Sequence, residues 1–292
     1  MPLIILILIE NRLSYCLASP LSSFWIYNTM LIENEWGGRG TGFLVFMPDE
    51  PGSKMGRAFL VTNKHVLNRQ PLLRDKATKI KLHLNIRTNS NTISARSTSF
   101  PTVINNVKSY REHPSPDVDV LAFDLTGLLA NNTNIVSQQV PLERFATKSI
   151  IQSEDVKIGE EILVIGYPSS LKHKDTNFPL VRQGIISTTI GQELEAEFDG
   201  GDGKVKKRTL RGFIVDGGVI PGSSGSPVIM KPLTTRFIRE NMTLQSITLL
   251  LGIIADTMYA PISVPQVDTL GFAGLGIAFD ADTIIETIEM FD

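Results

Sequence analysis

Apolar positions along this chain fall in short runs separated by glycine, proline and polar turns. Residues 79–86 alternate strictly, with Ile80, Leu82, Leu84 and Ile86 on one face and Lys79, Lys81, His83 and Asn85 on the other. That period of two predicts a half-buried antiparallel strand, with His83 on its solvated side. Apolar runs bounded by turn residues predict further strands at 40–47 (GTGFLVFM), 58–62, 118–125, 161–165, 181–187, 212–215, 226–230, 248–254 and 275–279. One segment has a helical period: Asp282 or Thr283 can cap it, and Glu286 completes a capping box. Its apolar stripe is Ile284, Ile285, Ile288 and Phe291. Residues 87–99, rich in Ser, Thr and Asn, read as a long loop, and the polar stretch 137–155 as a connector between two halves. Many short strands with one closing helix predict an all-β sandwich or barrel.

Composition narrows what such a fold can do. At 292 residues the chain can bury one large core or two modest ones, and 42% hydrophobic with 20% charged residues excludes disorder. A net charge of -2 gives no general field for nucleic acid or an anionic membrane. Within 193–211, Glu193, Glu195 and Glu197 face Lys204, Lys206, Lys207 and Arg208 across a DGGDG turn. Opposite charges across a hairpin account for that pattern without a nucleic-acid ligand. The single Cys16 excludes an intramolecular disulfide and suits a reducing compartment or a bacterial setting. Of His65, His83, His113 and His173 no two stand close, so neither a metal nor another cofactor is expected. The apolar run at 2–9, PLIILILI, lacks a preceding basic residue and falls short of the roughly 20 residues that span a bilayer. No membrane span is expected, and a cytoplasmic location is preferred to export. Residues 1–30 stand apart as an N-terminal extension with no assigned role.

The chemistry begins at residues 221–227, PGSSGSP. Acyl transfer by serine needs an exposed hydroxyl, and N–H groups aimed at the oxygen that turns negative. A Gly-x-Ser-Gly turn offers both, because glycine lets the backbone curl until the N–H groups of Gly222 and Ser224 point into one hole. Ser224 is then the nucleophile. Position 226 is Ser, so the Gly-x-Ser-x-Gly elbow of α/β-hydrolases is not met. TNKHVL sets His65 directly after the predicted strand 58–62, where a general base gains a rigid frame. HPSPDVDVLAF carries Asp117 and Asp119 before another strand, and Asp119, flanked by Val118 and Val120, better suits a carboxylate buried enough to fix a histidine tautomer. Taken singly, the serine segment is more often a plain loop, a lone histidine there more often structural, and the aspartate reads also as a turn residue at the strand entrance. In the order His, Asp, Ser they form a triad.

With these residues on the page the chain resembles the trypsin-like serine peptidases, in particular the bacterial HtrA/Deg-like type. GTGFLV followed by TNKHVL resembles the segment bearing the family's histidine, and HPSPDVDVLAF the one around its aspartate, with Leu121 where Ala is common. GEEILVIGYP and VRQGIIS resemble the strands opening the second barrel. DGGVIPGSSGSP, with Asp216 eight residues before Ser224, and GLGIAF resemble the serine segment and the last strand. The resemblance implies two six-stranded antiparallel β-barrels, the trypsin-like double barrel, with a C-terminal α-helix; the family's PDZ domain is not expected, since too little chain follows the final strand. Residues 31–145 would form the first barrel, with His65 and Asp119, and 146–292 the second, with Ser224, the oxyanion hole and the helix. It also implies an S1 pocket lined by Gly218, Val219 and Ile220, by Ala255, Asp256 and Thr257, and by Gly276. No acidic side chain clearly occupies the base of that pocket, so a small or medium apolar P1 residue is expected, unless Asp256 points inward. The expected function is a serine endopeptidase acting on polypeptides through an acyl-enzyme. Two alternatives stay open: a latent or inactive peptidase fold that binds peptides or awaits an activating partner, and a triad esterase.

Overall fold

The strict alternation at 79–86 becomes a strand whose Ile80, Leu82 and Leu84 are buried and whose Lys79 and Lys81 are exposed. The computed structural model describes residues 23–69, 75–89, 92–199, 205–232, 236–238, 241–243, 248–264 and 267–291. Cys16, the apolar run at 2–9 and residues 200–203 of the DGGDG turn lie outside the described residues. The first half of the chain builds β1 (Thr29–Asn34), β2 (Arg39–Pro48), β3 (Gly56–Thr62), β4 (Lys79–Arg87), β5 (Ile93–Pro101), β6 (Tyr110–Glu112), β7 (Leu121–Asp124) and β8 (Val140–Pro141). They form one eight-stranded sheet in the order β5-β4-β1-β2-β3-β7-β6, with β8 parallel to β2.

This half departs from the expected six-stranded barrel, because among the described residues no ladder joins the ends of its eight-stranded sheet. The sheet curls until Phe100 of β5 and Tyr110 of β6, its two end strands, both pack on Phe123, at 6.0 and 5.6 Å between ring centroids. Closure is by side-chain packing. Residues 93–101 are a strand where a loop was expected; of ISARSTSFP only Phe100 is buried, so an apolar alternation never arises. β1 likewise begins inside the segment 1–30 expected as an extension, at Thr29. Residues 23–28 of that segment form helix α1 (Ser23–Asn28), whose Trp25 is buried in the main core.

The second half builds β9 (Glu161–Gly166), β10 (Leu180–Ile186), β11 (Glu193–Asp199), β12 (Val205–Arg211), β13 (Phe213–Asp216), β14 (Pro227–Met230), β15 (Leu250–Val264) and β16 (Val267–Asp280). Six of them close into a barrel in the order β9-β10-β13-β16-β15-β14. The charged arms pair as a separate hairpin, Glu193 opposite Arg211 and Glu197 opposite Lys207. Strands β15 and β16 run on together as a ribbon well past the expected ends. Between the two halves lies a shared core: Phe43, Val61, Val118 and Val120 from the first side meet Ile229, Ile253, Ala255 and Phe279 from the second.

The closing helix α2 (Ala281–Ile288) buries Ile284 and Ile288 in that shared core, but its cap is neither expected residue. Asp280, the last residue of β16, accepts the Thr283 N–H at 3.2 Å. Glu286 is drawn off the expected capping box by a two-pronged bond from Arg211, at 2.7 and 3.1 Å, and by His113 Nε2 at 2.7 Å. His113 Nδ1 accepts the Ser115 N–H at 3.0 Å, which leaves the ring proton on Nε2 to donate to Glu286. The charged hairpin, the helix and the loop before Asp119 are tied together by this trio. His83 is also less solvated than its face suggested, since it lies half-buried with Nε2 3.4 Å from Glu33. Burial, then the neighbouring Lys172, pushes its pKa down.

Candidate active site

Strands β3 and β7 are antiparallel neighbours, with Thr62 opposite Leu121. That register alone makes the residues just after β3 meet those just before β7, and His65 and Asp119 are such residues. His65 sits on a single 3-10 turn, Lys64–Leu67, whose Val66 and Leu67 are buried. Its ring Nδ1 contacts Asp119 Oδ2, and its backbone N–H donates to Asp119 Oδ1 at 3.1 Å. Asn63 Nδ2 donates to the Asp119 carbonyl at 2.6 Å, so the carboxylate's own backbone is fixed as well. The neighbouring valines, Val118 and Val120, are fully buried, whereas Asp117 is exposed. Lys64 completes the frame: its Nζ donates to the carbonyls of His113 and Ser115, each at 2.9 Å.

The charge balance around His65 sets its proton affinity. Burial is the largest influence and disfavours the imidazolium; the hydrogen bond and charge of Asp119, with a further pull from Asp256, outweigh it. The net effect holds the His65 pKa above its ordinary value.

Ser224 arrives from the other half. β14 starts at Pro227 opposite Ile253 of β15, and the backbone bonds Gly225 N–H to Ile254 O and Ile254 N–H to Ser226 O extend that ladder through the serine turn. The turn then reaches across to the first half through Thr41 of β2. Thr41 N–H donates to Ser224 O at 2.8 Å, Thr41 Oγ1 donates to Gly222 O at 3.2 Å, and Thr62 Oγ1 donates to Thr41 O at 2.7 Å. Two bonded steps thus separate the nucleophile's backbone from the strand that delivers His65. Among the described residues, neither the Gly222 nor the Ser224 N–H donates to a protein acceptor. The Ser224 hydroxyl itself donates to Ala255 O at 3.3 Å, and no hydrogen bond joins it to His65.

Glycine is required at two points of this turn. Gly222, at φ +89, lies where an added Cβ would stand 2.7 Å from Tyr167 O. Gly225, at φ +85, lies where one would stand 1.8 Å from Thr41 O. Gly225→Ala combines left-handed strain with a backbone clash, and is expected to cost about 3 kcal/mol in denaturant unfolding. Any protein that still folds is expected to have a displaced Ser224.

The segments expected at S1 do meet. Val219 N–H donates to Gly274 O at 3.1 Å, and Thr257 pairs with Gly276 across β15 and β16. Val219 is fully buried, and its methyls lie so close to Gly276 that an added Cβ there would stand 2.6 Å from Cγ2. Ile220 is half-buried and Ala255 buried. Asp256 does not line the pocket base: it is exposed, and its carboxylate accepts the Thr257 N–H at 2.8 Å. Thr41, Lys64 and Arg182 were not anticipated from the sequence. Arg182, on β10, donates to Gly218 O and, at 2.7 Å, to Ser223 Oγ inside the serine turn.

Among the described residues no group of three or more His, Cys, Asp or Glu could hold a metal ion, and no helix is long and apolar enough to cross a membrane. No curated protein sequence matches the chain. Among solved structures it is similar to Deg5, at 17% identity over 97% of this chain and 94% of that one, with a TM-score of 0.48. It is similar to the active form of the Rv3671c protease from M. tuberculosis, at 15% identity over 93% and 87%, with a TM-score of 0.46. Human heparin binding protein is a further likeness, at 11% identity over 92% and 93%, with a TM-score of 0.46. The family model for the trypsin-like peptidase domain matches residues 40–231, which take in both arms of the site just described, and the chain therefore belongs to the trypsin-like peptidase family.

Proposed function

We propose that this chain is a serine endopeptidase that cleaves polypeptides through His65, Asp119 and Ser224, with an acyl-enzyme intermediate. Residues 31–145 supply the base and its carboxylate, and residues 146–292 the nucleophile and oxyanion hole. The carrying observation is that Asp119 receives both the ring and the backbone of His65, while the Ser224 turn is bonded through Thr41 and Thr62 to the strand that delivers His65 and keeps two N–H groups unclaimed among the described residues. His65 takes the Ser224 proton as Oγ attacks the scissile carbonyl, and Asp119 holds the resulting imidazolium. The N–H groups of Gly222 and Ser224 receive the oxyanion, each donor worth about a hundredfold or more in rate. His65 then protonates the leaving amine, and water repeats the sequence on the ester. Val219 packed over Gly276 favours a small apolar P1 side chain.

Fluorophosphonate labelling tests this directly. Wild type is expected to label, and Ser224→Ala and His65→Ala to lose labelling. A panel of peptides varied at P1, set against simple esters, then separates a peptidase from an esterase. A second reading is favoured by one observation, the bond from Ser224 Oγ to Ala255 O. If that is the resting state, labelling is slow alone and accelerates when a peptide or partner occupies the cleft.

A further inference from the structure

The six residues from Gly218 to Ser223 join two parts of the proposed site: the segment 218–220 expected at S1, and Gly222, the first proposed oxyanion donor. Two glycines in the left-handed region, Gly218 at φ +59 and Gly222 at φ +89, leave this backbone several ways to turn. Single bonds hold points along the segment, Val219 N–H to Gly274 O, Ser169 N–H to Pro221 O and Thr41 Oγ1 to Gly222 O, and one side chain spans its two ends. Arg182 reaches from β10 and donates one guanidinium nitrogen to Gly218 O, at the start of the segment, and the other to Ser223 Oγ, at its end. Ser223 is fully buried, and in the chain it stands between Gly222 and Ser224, whose N–H groups would meet the oxyanion. Among the described residues no carboxylate pairs with Arg182, and its Nε is buried without a hydrogen-bond partner. A half-buried cation satisfied only by a carbonyl and a hydroxyl is costly as mere structure. Its two acceptors lie at the ends of the one segment whose conformation decides whether the hole exists.

We propose that Arg182 is a positioning residue for the oxyanion hole, clamping Gly218 and Ser223 so that the Gly222 and Ser224 N–H groups stay aimed into the cleft before substrate arrives. This rests on the serine-peptidase reading above. The clamp touches neither the reacting atoms nor the substrate, so its loss should be felt where negative charge develops on the carbonyl oxygen. Ground-state binding of a peptide should change little.

The test compares wild type with Arg182→Met and Ser223→Ala in peptide hydrolysis, and in binding of a peptide boronate, whose tetrahedral adduct needs the hole. In both variants kcat is expected to fall by about 10²-fold, the size of losing one oxyanion donor, with KM nearly constant. Boronate affinity should fall by the same factor. Ethylguanidinium added to Arg182→Met, which restores the fork without the side chain, should recover part of kcat. Ser223→Ala removes the acceptor with little change in volume, and serves if Arg182→Met does not fold. Unchanged kcat and boronate affinity in the folded variants would overturn the proposal. So would parallel losses in kcat, KM and melting temperature with no recovery by ethylguanidinium, which is the signature of a merely structural residue. A wild type inert to both peptide and fluorophosphonate removes the serine-peptidase reading and the clamp with it, whereas a reactive wild type with indifferent variants removes the clamp alone.

Discussion

Ser224→Ala is expected to slow peptide hydrolysis by about a million-fold while leaving the fold intact. The two halves of this statement rest on different atoms. The hydroxyl makes one hydrogen bond within the protein, to Ala255 O at 3.3 Å, so its loss should cost at most about 1 kcal/mol of stability. The position of residue 224 is held by its backbone, through the Thr41 N–H at 2.8 Å, and alanine keeps that bond. Catalysis, by contrast, loses the atom that forms the acyl-enzyme. His65→Ala should cost nearly as much, and Ser224→Ala with His65→Ala no more than either alone, because the two act as one unit. What survives is the contribution of the oxyanion hole and substrate binding, about 10³-fold or more over water. The check is kcat/KM of the single and double variants beside their thermal unfolding. Multiplicative losses would mean that His65 serves something other than the activation of Ser224.

Much of this arrangement was legible as residues because the relevant register is local. His65 follows β3 and Asp119 precedes β7, and both strands announce themselves by apolar runs, so antiparallel pairing brings the two side chains together. The serine turn is legible through its glycines, whose steric need is written in the residue type itself. What escaped depends on surfaces that form only when the chain folds. Arg182 stands in VRQGIIS among Val181 and Gln183, both exposed, and looks like one more solvent-facing position. Only the curl of the barrel lays the Gly218 segment over it. Asp280 escaped as a cap because it ends a strand and starts a helix in the same residue. β5 escaped because an edge strand with a single buried side chain carries no apolar pattern. The open first sheet follows from the same fact, since closure there depends on rings meeting at Phe123 and no ladder marks it.

The pH dependence of the wild type carries the second large prediction, through Asp119→Asn. His65 can accept the Ser224 proton only when neutral, so activity falls as pH drops through its pKa. Because Asp119 and Asp256 outweigh burial, that pKa lies above 6.5, and the acid limb should be met at a correspondingly higher pH than an unperturbed histidine would give. Asp119→Asn removes the larger pull and leaves burial unopposed, so the limb should move to lower pH. The plateau above it should fall by about 10⁴-fold, since an amide presented to the ring no longer fixes the tautomer or stabilises the imidazolium. Asp256→Asn should move the limb in the same direction by less, with a plateau close to wild type, because its carboxylate acts on the ring through charge alone and hydrogen-bonds its own neighbour, Thr257. The two variants therefore separate charge from orientation. A plateau loss without a shift in Asp119→Asn would assign Asp119 to orienting the ring alone, and an equal shift in both variants would mean that the field of the cleft, more than the contact with Asp119, sets the proton affinity of His65.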